Sequence, residues 1–248
     1  MIDIHSHLVP GVDDGSQSIE ESLGLLKQAE TEGITEIITT PHYMKNGDFR
    51  TKATELVQRF NALKETYQGT IKLHLGNELY IHPDLPELLE QGEILTLAES
   101  NYILVEFPFH EYKEDYDEIL YELSLKYQII IAHPERYSYV QDDPNFCLRW
   151  LKEGYLLQSN QNSLFKKETR KVLIPMIEHG FVSFIASDAH NEYRNLTLKN
   201  VMRFIKSQFG AEKAEFLLEK NPKAVVNNLK LKKQEYKKIK NKSFLFWS

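Results

Sequence analysis

The sequence predicts an α/β protein whose parallel strands close, or nearly close, into a barrel wrapped by helices. Three observations predict it. Short apolar or β-branched runs alternate with amphipathic stretches of helical length. The runs are apolar at consecutive positions, as strands buried on both faces require. Seven of them fall between residues 2 and 186, which suits a ring better than an open sheet; a doubly wound sheet is the alternative.

Ile2–Ile4 is the first strand. The helix after it, Ser18–Gly33, has Ser18 as N-cap, Glu21 three residues on to complete a capping box, and Gly33 as its stop. Thr35–Thr40 follows, then a helix over Thr51–Tyr67. Ile71–Leu75 and Tyr102–Phe107 are the third and fourth strands, with the helix Tyr116–Tyr127 behind them. Gln128–Ala132 leads to the helix Pro144–Glu153, and Tyr155–Gln158 to Lys167–Gly180. Phe181–Ala186 leads to Leu196–Phe209 and Ala211–Glu219. No repeat and no Gly/Ser- or Pro-rich linker divides the body, so residues 1–228 read as one domain. Residues 229–248 read as a solvated basic tail ending in Ser243-Phe244-Leu245-Phe246-Trp247-Ser248.

The 248 residues, 42% hydrophobic and 27% charged, can bury a sizeable core. No apolar stretch is long enough to cross a membrane, and the start MIDIHSH carries no secretory signal, so the expected compartment is the cytoplasm. The single cysteine, Cys147, excludes an internal disulfide. It also lacks the phosphate-cradling loop and following arginine of a cysteine-dependent phosphatase. Net charge is −6. Residues 230–248 hold seven lysines and one glutamate, a surplus of six positive charges that leaves −12 on residues 1–229. An acidic body of that kind is no nucleic-acid-binding surface. The basic, aromatic-ended tail has two readings, a frayed extension whose last aromatics pack on the body or a segment that engages an anionic surface or partner near a membrane.

Histidines and carboxylates recur at the ends of the strand runs. His5-x-His7 follows the first and Asp188-x-His190 the last; residues i and i+2 of an extended chain point the same way and can grip one ion. Asp14 and His42 follow the first and second runs, Glu78 the third, while Glu106 and His133 end the fourth and fifth. Charged groups ending apolar strands must be paired or coordinated. Nine such groups exceed the needs of one ion and suffice for two or three. Mixed nitrogen and oxygen donors without cysteine suit manganese, iron or zinc. Four carboxylates against three divalent ions leave a positive basin, which attracts a phosphate ester for in-line hydrolysis by a metal-activated water.

The segments MIDIHSHLVPGVDDGS, TTPHY, GNELY, LVEFPF, IAHPERY and IASDAHN, spread from Met1 to about Asn228, resemble the PHP (polymerase and histidinol phosphatase) superfamily. Within it the chain is most similar to the capsule and exopolysaccharide branch of metal-dependent protein-tyrosine phosphatases. The resemblance implies a distorted (β/α)7-type barrel with three divalent ions at the C-terminal strand ends, manganese foremost, with iron, zinc or magnesium as alternatives. By position, His5, His7, Glu78 and Asp188 would hold one ion and Asp14, His42 and His190 a second. Glu78, Glu106 and His133 would hold a third. Asp14 matches better than Asp13, and carboxylates at Asp14 and Glu106 agree with the tyrosine-phosphatase branch. The implied substrate is a phosphotyrosine protein, a membrane-associated bacterial tyrosine kinase that regulates polysaccharide export. The alternative is a small-molecule phosphatase, for histidinol phosphate, or a phosphodiesterase. Arg136 and Arg194, three and four residues past His133 and His190, are placed to hold the phosphate.

Overall fold

The computed structural model describes residues 1–232 and 235–240, so the aromatic end read at 244–247 lies outside the described residues. Among them the strands are β1 (Ile2–Asp3), β2 (Glu36–Thr39), β3 (His42–Tyr43), β4 (Lys72–Leu75), β5 (Glu78–Tyr80), β6 (Tyr102–Glu106), β7 (Gln128–Ala132), β8 (Leu156–Asn160) and β9 (Phe184–Ala186). The α-helices are α1 (Ile19–Glu32), α2 (Ala53–Thr66), α3 (Leu85–Glu90), α4 (Asp115–Ser124), α5 (Ser138–Asp142), α6 (Leu148–Glu153), α7 (Lys167–Glu178), α8 (Leu198–Phe209), α9 (Ala211–Glu215) and α10 (Asn221–Val226).

These nine strands are seven paths. β2 and β3 belong to one, and β4 and β5 to its neighbour, because the pairing keeps a constant register from Glu36 opposite Lys72 to Tyr43 opposite Leu79. Pro41 has no N–H to give to a ladder and interrupts the first path. Gly76 N–H donates to Thr39 O at 2.9 Å and Glu78 N–H to Pro41 O at 3.1 Å, so the pairing continues across the gap. All seven strand pairings among the described residues are parallel. The ring is completed where the ends of β1 and β9 meet. Ser6 bridges Ala189 in parallel, Asp188 N–H donates to His5 O at 2.9 Å, and His7 N–H to Ala189 O at 2.8 Å.

Strand alternation sorts two apolar layers. Ile38, Tyr102, Leu104, Ile130, Ala132, Phe184 and Ala186 form one cluster inside the ring, with Val225 of α10 beneath them. Ile37, Ile103, Val105, Ile129, Ile131 and Ile185 face outward into the cluster shared with the helices. The helix signals work much as written. Ser18 accepts from Glu21 N–H at 3.2 Å, although the Glu21 carboxylate caps Gln17 N–H rather than Ser18. Gly33 ends α1 at φ 80°, a conformation glycine adopts without strain.

The C-terminal segment departs from a solvated extension. Residues 229–232 and 235–240 lie along the N-terminal face of the ring. Leu231 and Tyr236 lie against apolar surface of the body, as does Ile239, while Lys232, Lys237 and Lys238 remain exposed. Tyr102 OH donates to Leu229 O at 2.7 Å, Lys237 N–H to His179 O at 2.9 Å, and Ile239 N–H to Asn145 Oδ1 at 2.9 Å. The lysines masked an anchor pattern that the charge count could not show.

Candidate metal centre

All nine sequence-predicted donors converge at the C-terminal end of the ring. His5 and His7 leave β1, Asp14 the loop after it, and His42 opens β3. Glu78 opens β5 and Glu106 ends β6. Asp188 and His190 follow β9. His133 is the instructive case. Alternation puts Ile130 and Ala132 inside and Ile129 and Ile131 outside, so the next side chain should face outward. A left-handed backbone at His133, φ 30°, breaks the alternation and turns the imidazole into the site. Asp188 is also left-handed, at φ 52°. Such conformations cost of order 1–3 kcal/mol and persist where the surroundings enforce them.

The centre is crowded with acceptors. His5 donates Nδ1–H to Gln158 Oε1 at 2.8 Å, and His7 donates Nδ1–H to Asp13 Oδ2 at 2.7 Å. Those bonds leave the two Nε2 lone pairs facing each other across 3.2 Å. Glu78 Oε2 lies 3.2 and 3.4 Å from them, and Asp188 Oδ1 3.5 Å from both. Glu78 Oε2 is also 3.0 Å from His42 Nδ1, and Glu78 Oε1 is 2.9 Å from His133 Nε2, which lies 3.5 Å from Glu106 Oε1. Asp14 Oδ1 stands 3.5 Å from both His42 Nε2 and His190 Nε2. His42 Nδ1, Glu78 Oε2, His133 Nδ1 and His190 Nε2 are buried with no hydrogen-bond partner among the described residues. Inward lone pairs and orphaned buried donors fit cations and little else.

The donor atoms fall into four overlapping groups: His7, Asp14, His42 and His190; His5, His7 and Asp188; His5, Glu78 and His133; His42, Glu78 and Glu106. They correspond in part to the three sets implied by the resemblance. His7 joins the Asp14 set, and His42 faces Glu78 and Glu106.

Protonation shows the same conflict. Burial disfavours every charge here. Against it, Glu78 and Asp188 hold His5 above its ordinary value, Asp13 holds His7 well above, and Glu78 holds His42 above. His133 is pushed down to about 4 by burial and Arg136, and His190 to about 4 by burial and His7. Burial and the charge on Glu78 push Glu106 up to about 8. Glu78 and Asp188 are held well below the carboxylate range despite burial, chiefly by His5. Protons are partial substitutes for the positive charge the cluster calls for.

Asp13 and Asp14 separate by role. Asp13 is buried and accepts from His7 Nδ1–H, His42 N–H at 2.9 Å and Gly15 N–H at 2.9 Å, fixing the ring that carries a donor. Asp14 is 51% exposed and turns its oxygen to His42 and His190. Sequence reading missed Gln158 and Asn160, which hold His5 and Asp188. The signal was there: a Gln-x-Asn pair with the i, i+2 spacing at the end of an apolar run.

Arg136 and Arg194 reach the same place. Arg136 Nη1 and Arg194 Nη2 donate to Asp188 Oδ2 at 3.1 and 2.7 Å, and the Arg136 guanidinium stacks 4.7 Å over Phe109. They border a cavity of about 320 Å³ floored by the donor cluster and lipped by Met44, Tyr80 and Phe109. Of the other tyrosines beside the donors, Tyr43 and Tyr137 are buried in the core, Tyr112 packs among aromatics, and Tyr193 is exposed. Cys147 is buried and its thiol is pushed well up by burial, which rules out a thiolate nucleophile.

Known proteins share this architecture. Residues 1–227 match the family model described as capsular polysaccharide synthesis, CpsB/CapC. The tyrosine-protein phosphatase YwqE of Bacillus subtilis (strain 168) is 30% identical over 250 residues, 98% of each chain. The putative tyrosine-protein phosphatase CapC of Staphylococcus aureus is 35% identical over 242 residues, 94% of each. A crystal structure from work on YwqE of B. subtilis and CpsB of Streptococcus pneumoniae, described as unique metal-dependent tyrosine phosphatases, superposes with a TM-score of 0.92. It is 28% identical and covers 97% of this chain and 100% of its own. A phosphotriesterase homology protein from Escherichia coli shares the fold, at a TM-score of 0.56 and 13% identity over 91% of this chain and 98% of its own. With residues 1–227 matched and relatives of 30% identity or more along almost its whole length, the chain belongs to the CpsB/CapC family.

Proposed function

We propose that the chain is a metal-dependent tyrosine phosphatase acting on phosphotyrosine in proteins. His5, His7, Asp14, His42, Glu78, Glu106, His133, Asp188 and His190 hold its divalent cations, three of them with manganese foremost. The carrying observation is one cavity in which inward-facing acceptors form the floor, two arginines one wall, and Met44, Tyr80 and Phe109 the lip. Bound there, the cations supply Lewis acidity that activates water and neutralises phosphate charge.

The chain's own residues do the rest. Arg136 and Arg194 each give one nitrogen to Asp188 Oδ2, which aims both guanidinium groups at the cavity and leaves further N–H groups for phosphate oxygens. As charge builds on the phosphoryl oxygens in the transition state, those donors strengthen. Phe109, held under Arg136, and Tyr80 give a flat aryl ring an apolar seat. By accepting from Nδ1–H, Gln158 and Asp13 orient the His5 and His7 rings with Nε2 toward the floor, so the donor atoms stay in place between turnovers. The kinase that regulates capsule or exopolysaccharide synthesis is the proposed substrate protein, met in the cytoplasm. No described helix is long and apolar enough to cross a membrane.

Protein loaded with Mn²⁺ should release phosphate from a phosphotyrosine peptide faster than from histidinol phosphate or a nucleotide diester. His42→Ala should abolish release and keep the melting transition. Arg136→Ala and Arg194→Ala should each lower kcat/KM about 10- to 100-fold. Equal or faster turnover of histidinol phosphate overturns the assignment.

A further inference from the structure

A second cavity, of about 240 Å³, adjoins the first and shares Arg136, Asp188 and Arg194 with it. Its far wall is Asn162, Ser163, Lys166 and Thr169, with no apolar side chain in the lining. We propose that this cleft binds a second oxyanion of the substrate polypeptide, so that the enzyme selects phosphotyrosines with an acidic or phosphorylated residue close by. The inference rests on the phosphotyrosine phosphatase reading and adds the sequence context it prefers.

Charge is the first argument. Three cations, Arg136, Arg194 and Lys166, surround one carboxylate, and both arginines already engage that carboxylate through one nitrogen each. Lys166 makes no ion pair among the described residues, although the chain carries six more acidic than basic side chains. Like charges kept at one cleft repel, and an incoming anion relieves the repulsion.

Backbone polarity is the second. α7 is 12 residues long, and its N-cap, Lys166, is extended (φ −95°, ψ 127°) and gives no side-chain cap. Thr169 Oγ1–H is spent on Ser163 O at 3.0 Å and caps none of the first-turn N–H groups, which form the partial positive end of the helix. These groups accept an anion without any rearrangement of the fold.

Reach is the third. The cavities share a wall of two arginine side chains, and an extended peptide advances about 3.3 Å per residue. A side chain one to three residues from the phosphotyrosine therefore arrives in the second cleft. Carboxylate and phosphate satisfy the same donors, so both sources enter the test.

The test compares Mn²⁺-loaded enzyme on four substrates. These are a small aryl phosphate, a phosphotyrosine peptide with neutral flanks, the same peptide with glutamates within three residues, and a doubly phosphorylated version. The wild type should show a KM about tenfold lower on the third, the fourth or both than on the neutral peptide, and which of them gains identifies the source. Lys166→Glu should remove the advantage with kcat unchanged, and Lys166→Gln should remove part of it. Both variants should leave the aryl phosphate and the neutral peptide as they were, which also reports an intact fold. Equal KM values on all three peptides overturn the inference, and so does a Lys166→Glu effect of the same size on the aryl phosphate. Failure of the wild type on every substrate, aryl phosphate included, sinks the phosphatase reading itself and this inference with it.

Discussion

Asp13 and Asp14 are adjacent, chemically identical and predicted to fail differently. The buried Asp13 carboxylate takes three hydrogen bonds, from His7 Nδ1–H at 2.7 Å, His42 N–H at 2.9 Å and Gly15 N–H at 2.9 Å. Asparagine keeps one acceptor oxygen and turns an NH2 group toward the others, so one to two charge-assisted bonds go. At about 1.5–3 kcal/mol each, Asp13→Asn should destabilise the chelated protein by about 3 kcal/mol. It should also let the His7 ring change tautomer and weaken cation binding about 10- to 100-fold. Asp14 is half exposed and only faces His42 and His190 across 3.5 Å, so Asp14→Asn should cost the chelated fold about 0.5 kcal/mol or less. It should nonetheless weaken cation binding and hydrolysis at least as much as Asp13→Asn. Urea unfolding of chelated protein and calorimetric cation titration measure the two quantities separately. An unfolding midpoint that moves as far for Asp14→Asn as for Asp13→Asn would refute the assignment of supporting and coordinating roles.

Three further expectations follow from the same geometry. Glu106, pushed up to about 8 by burial and Glu78, carries a proton at pH 7 in chelated protein, so cation loading should release it and affinity should climb as pH rises toward 8. Calorimetry in buffers of different ionisation enthalpy counts the protons, and Glu106→Gln should lower the count by about one. Asp3, fully buried beneath the site and bonded to Ser187 and His5 N–H, is pushed up to about 6 by burial. A raised carboxyl pKa favours the fold below the unfolded value near 3.8, and that contribution disappears as pH rises through 6, about 3 kcal/mol in all. Asp3→Asn should therefore differ from wild type by a pH-dependent term confined to pH 4–6, and a constant offset counts against it. Gly180 sits at φ 78°, with a Cβ there only 2.3 Å from Glu235 O. Gly180→Ala should cost well over 1 kcal/mol in the full chain, and only the backbone share, about 1 kcal/mol, in a chain ending at Asn228. Equal costs in the two backgrounds would mean that the C-terminal strap does not press on this turn.

Much of the fold was legible because buried parallel strands leave a local mark, a continuous apolar run. The second and third paths were read short, since Pro41 and the Gly76-Asn77 step look like endings. Only the pairing between paths, constant from Glu36–Lys72 to Tyr43–Leu79, shows that they are not. The C-terminal segment was read as solvated because six of residues 230–240 are lysines and composition outweighed spacing. Leu231, Tyr236 and Ile239 find their partners on a face assembled from strand starts far apart in the chain.

The centre divides along the same line. His5-x-His7 and Asp188-x-His190 were readable because an i, i+2 pair at a strand end is local. Gln158 supporting His5, 153 residues away, was not, because ring closure alone brings them together. Asp188 shows what such closure adds. Its Oδ1 faces His5 and His7 in the acceptor cluster, while its Oδ2 receives Arg136, Arg194 and Asn160. In the proposed phosphatase, one carboxylate thus joins cation binding to phosphate binding. Its left-handed backbone at φ 52° is the conformation that accompanies both contacts. Loss of Asp188 should therefore disorder the arginines as well as the cations, whereas loss of His190 should spare the arginines. Sequence reading named each of these residues except Asn160, but the contact that joins them exists only in the closed ring.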